Sequence, residues 1–263
     1  MANLRPVSRQ THGGQVWRRL GTYSFAAKDA TVPITMTEMG RAVAAMPMAF
    51  MENAGQHFLV AVLSLTSGRN LYVAPNGKWM GMYIPTLYRL YPFRLLRAPQ
   101  SDQYSLFVDE EAHDLPDVAL STELFYDSDG NLSAATKAVM DGLTQFEQHR
   151  LMTVGAVAAL AAEGVICPWP IKIRDGDQER TVGGLHRVDE VALGKLSDEA
   201  FLRLRKAGAL AVAYAQLLSM GQIALFQQLA DLYQRASQLG DMPVQPAPAS
   251  GFVMTEPESL RFD

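Results

Sequence analysis

Most segments of this 263-residue chain that read as strands lie before residue 130, and most with helical periodicity lie after it. The regular strand–helix alternation of parallel βαβ units is missing. That order predicts an α+β fold, with an antiparallel sheet and its hairpins in the N-terminal half and helices dominating the C-terminal half. Met48–Met51 and His57–Leu65 read as strands, the second so continuously apolar after its histidine that both faces must be covered. With the Asn76-Gly77 hairpin next, they predict a three-strand meander. Arg94–Arg97, Tyr104–Val108 and Leu124–Tyr126 add further strands, and Ile171, Ile173, Thr181 and Val182 a second hairpin around Asp175-Gly176. Ser133 to Ala162 has helical composition with a stop at Glu163-Gly164, and Ser197-Asp-Glu is a helix start.

The expected organisation is an N-terminal arm over 1–20, irregular and anchored by Trp17; one domain over 21–240, strand-rich to 130 and helix-rich from 131; and an extended proline-rich tail over 241–263. The apolar run from Ala209 to Leu232 is interrupted by Gln216, Gln222, Gln227, Gln228 and Asp231, which predicts a buried helix pair and no membrane span.

Asn70 to Phe93 carries the densest local information. Asn76-Gly77 between Leu71-Tyr72-Val73 and the run from Trp79 to Tyr83 predicts a two-residue type I′ turn, because both residues tolerate positive φ. Pro85 ends the second strand and opens a short helix that Pro92 closes. Two readings of the rings stand side by side. They pack the centre of the domain, or Trp79, Tyr83, Arg89, Tyr91 and Phe93 line a ligand- or partner-binding groove with a cation at its mouth.

Charge is distributed unevenly: residues 1–97 hold 11 Lys/Arg against 3 Asp/Glu, and the remainder 12 against 24. No Lys or Arg occurs from Ala98 to Thr136, where acidic residues accumulate. The asymmetry either steers an anionic partner to the front half or lets the two halves answer each other. The isoelectric point of 5.8 and the lack of an RNP-type motif argue against nucleic acid. The lone Cys167 rules out an internal disulfide framework, and the start carries no apolar signal core, so a cytoplasmic protein is expected.

No catalytic signature survives inspection. There is no G-x-S-x-G elbow, P-loop or dinucleotide loop, and the Asp127–Gly130 turn lacks calcium-loop spacing. His57 and His186 read as satisfied structural histidines. Glu110 and His113, at i and i+3 with Asp114 beside them, are the one metal-ligand alternative; a di-metal bundle needs a second copy, so a solvated acidic loop is the default. No cofactor is expected.

The order of elements resembles the SapC family, named from a surface-layer gene cluster. The resemblance is carried by Tyr23-Ser-Phe-Ala, Val32-Pro33-Ile34, Glu38, Met46-Pro47-Met48-Ala49-Phe50, Asn70-Leu-Tyr-Val, Gly77-Lys-Trp79, Tyr83-Ile-Pro85 and Arg89-Leu-Tyr91-Pro92-Phe93. It continues through Phe107-Val-Asp109-Glu110 to Leu196 and covers roughly residues 20 to 230. It brings no catalytic residue. It implies a non-enzymatic accessory that presents a peptide or protein to a modifying enzyme; the alternatives are a metal-dependent enzyme or a surface-layer or secretion component. The chain departs from the family pattern at Ala74, where an acidic residue is common, and at Leu90, which replaces a second arginine.

Overall fold

The computed structural model describes residues 3–97, 103–113, 119–175 and 178–239. In chain order its strands are β1 (Leu4–Pro6), β2 (Val16–Leu20), β3 (Thr31–Pro33), β4 (Met48–Asn53), β5 (Gln56–Val62), β6 (Phe93–Arg97), β7 (Tyr104–Asp109), β8 (Ala119–Leu124), β9 (Ile166–Pro168), β10 (Ile171–Asp175), β11 (Gln178–Val182) and β12 (Leu185–Val188). The α-helices are α1 (Arg9–His12), α2 (Met39–Ala42), α3 (Thr86–Arg89), α4 (Ala134–Ala162), α5 (Glu190–Gly194), α6 (Asp198–Lys206), α7 (Ala209–Ser219) and α8 (Leu225–Leu239). All strand pairing is antiparallel, mostly in the first half, and the long helices follow, so the fold is α+β. The tail expected over 241–263 lies outside the described residues.

A five-stranded sheet runs β3-β5-β4-β12-β9. Leu59, Val60, Ala61, Val62 and Leu63 are consecutively buried, as a strand covered on both faces requires. The expected meander does not form. On one side β5 pairs with β4, on the other with β3 from earlier in the chain, and β12 from the C-terminal half takes the other edge of β4. The type I′ geometry sits elsewhere than predicted: Ala54 and Gly55, between β4 and β5, have φ of 50° and 79°. At Asn76-Gly77 only the glycine has positive φ. Gly77 N–H bonds Ala74 O and Ala74 N–H bonds Lys78 O, so Pro75 and Asn76 form the corners of an ordinary turn followed by a glycine bulge. A single bridge, Val73 to Trp79, remains of the predicted hairpin.

Residues 3–20 are not an irregular arm. β1 pairs with β7 and β2 with β8, and Trp17 is 1% exposed, its indole donating to Thr136 Oγ1 at 3.1 Å. Together with Phe93, Leu106, Val108, Phe125, Val139 and Leu143 it builds a second hydrophobic core, separate from the larger one around the five-stranded sheet. Helix α4 serves both: Val139 and Leu143 enter the second core, Ala156, Val157 and Leu160 the first. Its N-cap, Ser133, accepts from Thr136 N–H, and Gly164 follows its end with φ of 68°.

The run 209–238 is long and apolar enough to cross a membrane by length and composition alone. Here it is two helices joined by a 3₁₀ turn over Met220–Ala224. Gln216, wholly buried, donates to Met48 O at 3.1 Å and accepts Val188 N–H at 2.9 Å, bridging β4 and β12 beyond their paired residues. Ser219 Oγ accepts Met48 N–H. The glutamine that interrupts the apolar run thus completes a strand ladder.

Candidate functional site

The segment 79–93 crosses the boundary between the two cores, and α3 at its middle separates two clefts. Proline at 85 fixes the entry and α3 follows at once, its amides bonding Pro85 O and Thr86 O. The five residues expected to share one groove are divided among three environments.

Trp79 lines neither cleft. Its ring stacks on Tyr72 at 5.3 Å, meets Tyr23 and Tyr88 edge-on, and its Nε1–H donates to Tyr83 O at 2.8 Å. Gly81 permits this packing: a Cβ there would stand 2.6 Å from the Tyr72 ring.

The first cleft, about 380 Å³, is lined by Thr35, Thr37, Glu38, Arg41, Tyr83, Thr86, Arg89 and, from the middle of α4, Gln145, Phe146 and His149. Glu38, 6% exposed, is its organising group. One carboxylate oxygen accepts Tyr83 O–H and Thr86 N–H, both at 2.8 Å; the other accepts Thr35 N–H at 2.9 Å and Thr35 O–H at 3.0 Å. The return bond to Thr35 N–H is half of a capping box. Burial, and then the Glu38 charge, push the Tyr83 phenol above its ordinary value. Arg89 donates to Ile84 O and Thr86 Oγ1 and lies 5.9 Å from the Tyr83 ring centre. Arg41 makes no side-chain hydrogen bond or ion pair among the described residues and is exposed. With Glu38 saturated below, two guanidiniums form the rim.

The second cleft, about 410 Å³, is lined by Phe25, Asp29, Leu87, Tyr88, Tyr91, Phe93, Arg94, Asp109 and Glu111 among others. Tyr91 stacks on Phe25 at 3.8 Å with the rings 10° from parallel. Its hydroxyl donates to Asp109 at 3.2 Å, and Tyr88 O–H donates to Asp29 at 2.8 Å. Burial, followed by the neighbouring carboxylate, raises the pKa of both phenols strongly. Phe93 is 2% exposed and meets Trp17 edge-on, so it forms a wall continuous with the second core. Three carboxylates face one guanidinium here, the opposite sign to the first cleft.

Glu110, of the metal alternative, is paired to Arg5 at 2.9 Å and accepts from Asn3. The side chain of His113 and all of Asp114 lie outside the described residues. Arg5 paired with Glu110 shows part of the front-half charge answered within the chain. His186 does not meet the expectation of a satisfied histidine: its Nδ1 is buried without a partner, and its ring lies 5.0 Å from that of His57. Burial, and then His186, lower the His57 pKa. Residue spacing did not single out Glu38, Arg41, His149, Phe25 or Asp29. The Thr35-x-x-Glu38 capping spacing was the one local signal that could have found the first of them.

Both clefts lie beside α3, where the two cores meet, and in the first the Thr37 hydroxyl lies 3.1 Å from His149 Nδ1. The SapC family model matches residues 7–225, and the chain belongs to the SapC family. No curated protein and no solved structure matches it.

Proposed function

We propose that this SapC-family protein is a non-enzymatic binding protein that holds an extended peptide segment of a protein partner across α3. An acidic side chain of that segment meets Arg41 and Arg89 in one cleft, and a basic or aromatic side chain enters the Phe25–Tyr91 cleft beside Asp29 and Glu111. The observation that carries the reading is the pair of oppositely charged clefts of about 380 and 410 Å³ on the two sides of one helical turn. Each has room for a side chain. Charge of both signs within one short footprint selects for partner sequence more than it adds affinity, and Tyr91 stacked on Phe25 supplies rigid apolar area.

Fluorescence polarisation with labelled peptides tests this. Peptides bearing a glutamate and a lysine or arginine a few residues apart are expected to bind at least tenfold tighter than composition-matched neutral peptides. Arg41→Ala with Arg89→Ala is expected to erase the preference for the acidic residue, and Tyr91→Ala to weaken all of them. Equal binding of charged and neutral peptides, or unchanged binding by the folded arginine double variant, sinks the reading.

A further inference from the structure

A different place in the fold carries chemistry that peptide binding does not use. On β4 and β5, Glu52 stands directly opposite His57, two residues from the Ala54-Gly55 turn that closes the hairpin. On the other edge of β4, His186 of β12 stands opposite Phe50, two positions along from Glu52. Paired residues, and residues two apart on a strand, share a face of the sheet, so all three side chains rise from one face of three adjacent strands. One potential ligand atom from each lies within 4.8 Å of the other two. The two rings are in edge contact at 5.0 Å. His186 Nδ1 is buried with no hydrogen-bond partner, an arrangement that a ligand at that atom would relieve.

We propose that Glu52, His57 and His186 bind one divalent transition-metal cation of the zinc class. Two imidazoles and one carboxylate are a borderline donor set, suited to such ions and unsuited to calcium or magnesium, which take oxygen ligands. The ligand atoms all lie within 4.8 Å of one another, against roughly 3.3 Å between ligands of a tetrahedral zinc with bonds of about 2.0–2.1 Å. The strands hold the two rings in place, and the Glu52 side chain, exposed near the end of β4, has the rotamer freedom to adjust to an ion. Three protein ligands leave a coordination position for water or an exogenous donor. Cys167 contributes nothing: it pairs with Arg187, one residue from His186, and therefore belongs to the opposite face. The site is independent of the clefts beside α3, so neither proposal stands or falls with the other.

The test is titration of the full chain, stripped with chelator, with Zn²⁺ alone, read by calorimetry and by metal analysis after dialysis. One ion per chain is expected. His57→Ala and His186→Ala should each weaken binding at least tenfold and Glu52→Gln several-fold, with Glu110→Gln and His149→Ala unchanged. X-ray absorption of the Zn²⁺-loaded unmutated chain counts imidazole ligands directly, so the answer does not depend on the variants folding. Two imidazoles are expected. No stoichiometric ion, fewer than two imidazoles, or full binding by the folded His57→Ala, His186→Ala pair overturns the assignment.

Discussion

Glu38 is a buried carboxylate with no cation at ion-pair distance among the described residues, held by four donors from Thr35, Tyr83 and Thr86. Hydrogen bonds to a charged acceptor are stronger than neutral ones, and a buried donor left without its acceptor is costly. Glu38→Gln turns an NH₂ group toward two of these donors, and is expected to destabilise the protein by about 3 kcal/mol in urea unfolding. A loss under about 1 kcal/mol would show that the donors find water instead. The same saturation matters for binding. A carboxylate with no acceptor capacity left to spare does not reach up to neutralise Arg41 and Arg89, so the rim keeps its sign. Sequence reasoning placed Arg89 and Tyr83 correctly near one another but put Tyr91 and Phe93 with them. Tyr83 precedes α3 and Tyr91 follows it, and their side chains line different clefts.

At the scale of elements, what was legible was local. Ser133 and Ser197 announce α4 and α6, and both accept the expected cap bonds. What was hidden was non-local. β12 is a four-residue strand with no turn signal linking it to β4, and its union with that strand is completed by the Gln216 amide from α7. Gln216→Leu conserves bulk but orphans Met48 O and Val188 N–H in the core. We expect a loss of about 2–4 kcal/mol by chemical denaturation, with His186 shifted as β12 loosens; an effect within about 0.5 kcal/mol would mean that α7 merely packs there. β1 and β2 were missed for another reason. Leu4–Pro6 is too short to show alternation, and in Trp17-Arg18-Arg19 one buried ring stands beside two charges. Ala54-Gly55 was passed over because alanine does not favour the positive φ that it adopts there.

At the scale of the molecule, six of the nine tyrosines, Tyr23, Tyr72, Tyr83, Tyr88, Tyr91 and Tyr126, have phenol pKa values raised with burial as the first cause. A raised acid pKa means that the unfolded chain loses these protons first. Their contribution to stability is therefore complete below pH 10.0, the ordinary value, and is lost as pH climbs toward the folded values. Alkaline titration followed at 295 nm should show these six phenolates appearing together with the collapse of tertiary circular dichroism; a gradual rise that precedes unfolding would contradict the packing described. The family and the fold class were readable from the order of elements. The division into two cores was not, because it depends on which distant segments pair.

That pairing fixes an order of events during synthesis. β1 and β2 leave the ribosome about a hundred residues before their neighbours β7 and β8, and one edge of β4 stays open until residues 185–188 emerge. The nascent chain therefore carries uncapped strand edges, and Trp17 lacks its full set of core neighbours until Leu143 has emerged. A protein wired this way completes its five-stranded sheet only after residues 185–188 have emerged, and unpaired edges are sites of wrong pairing in the meantime.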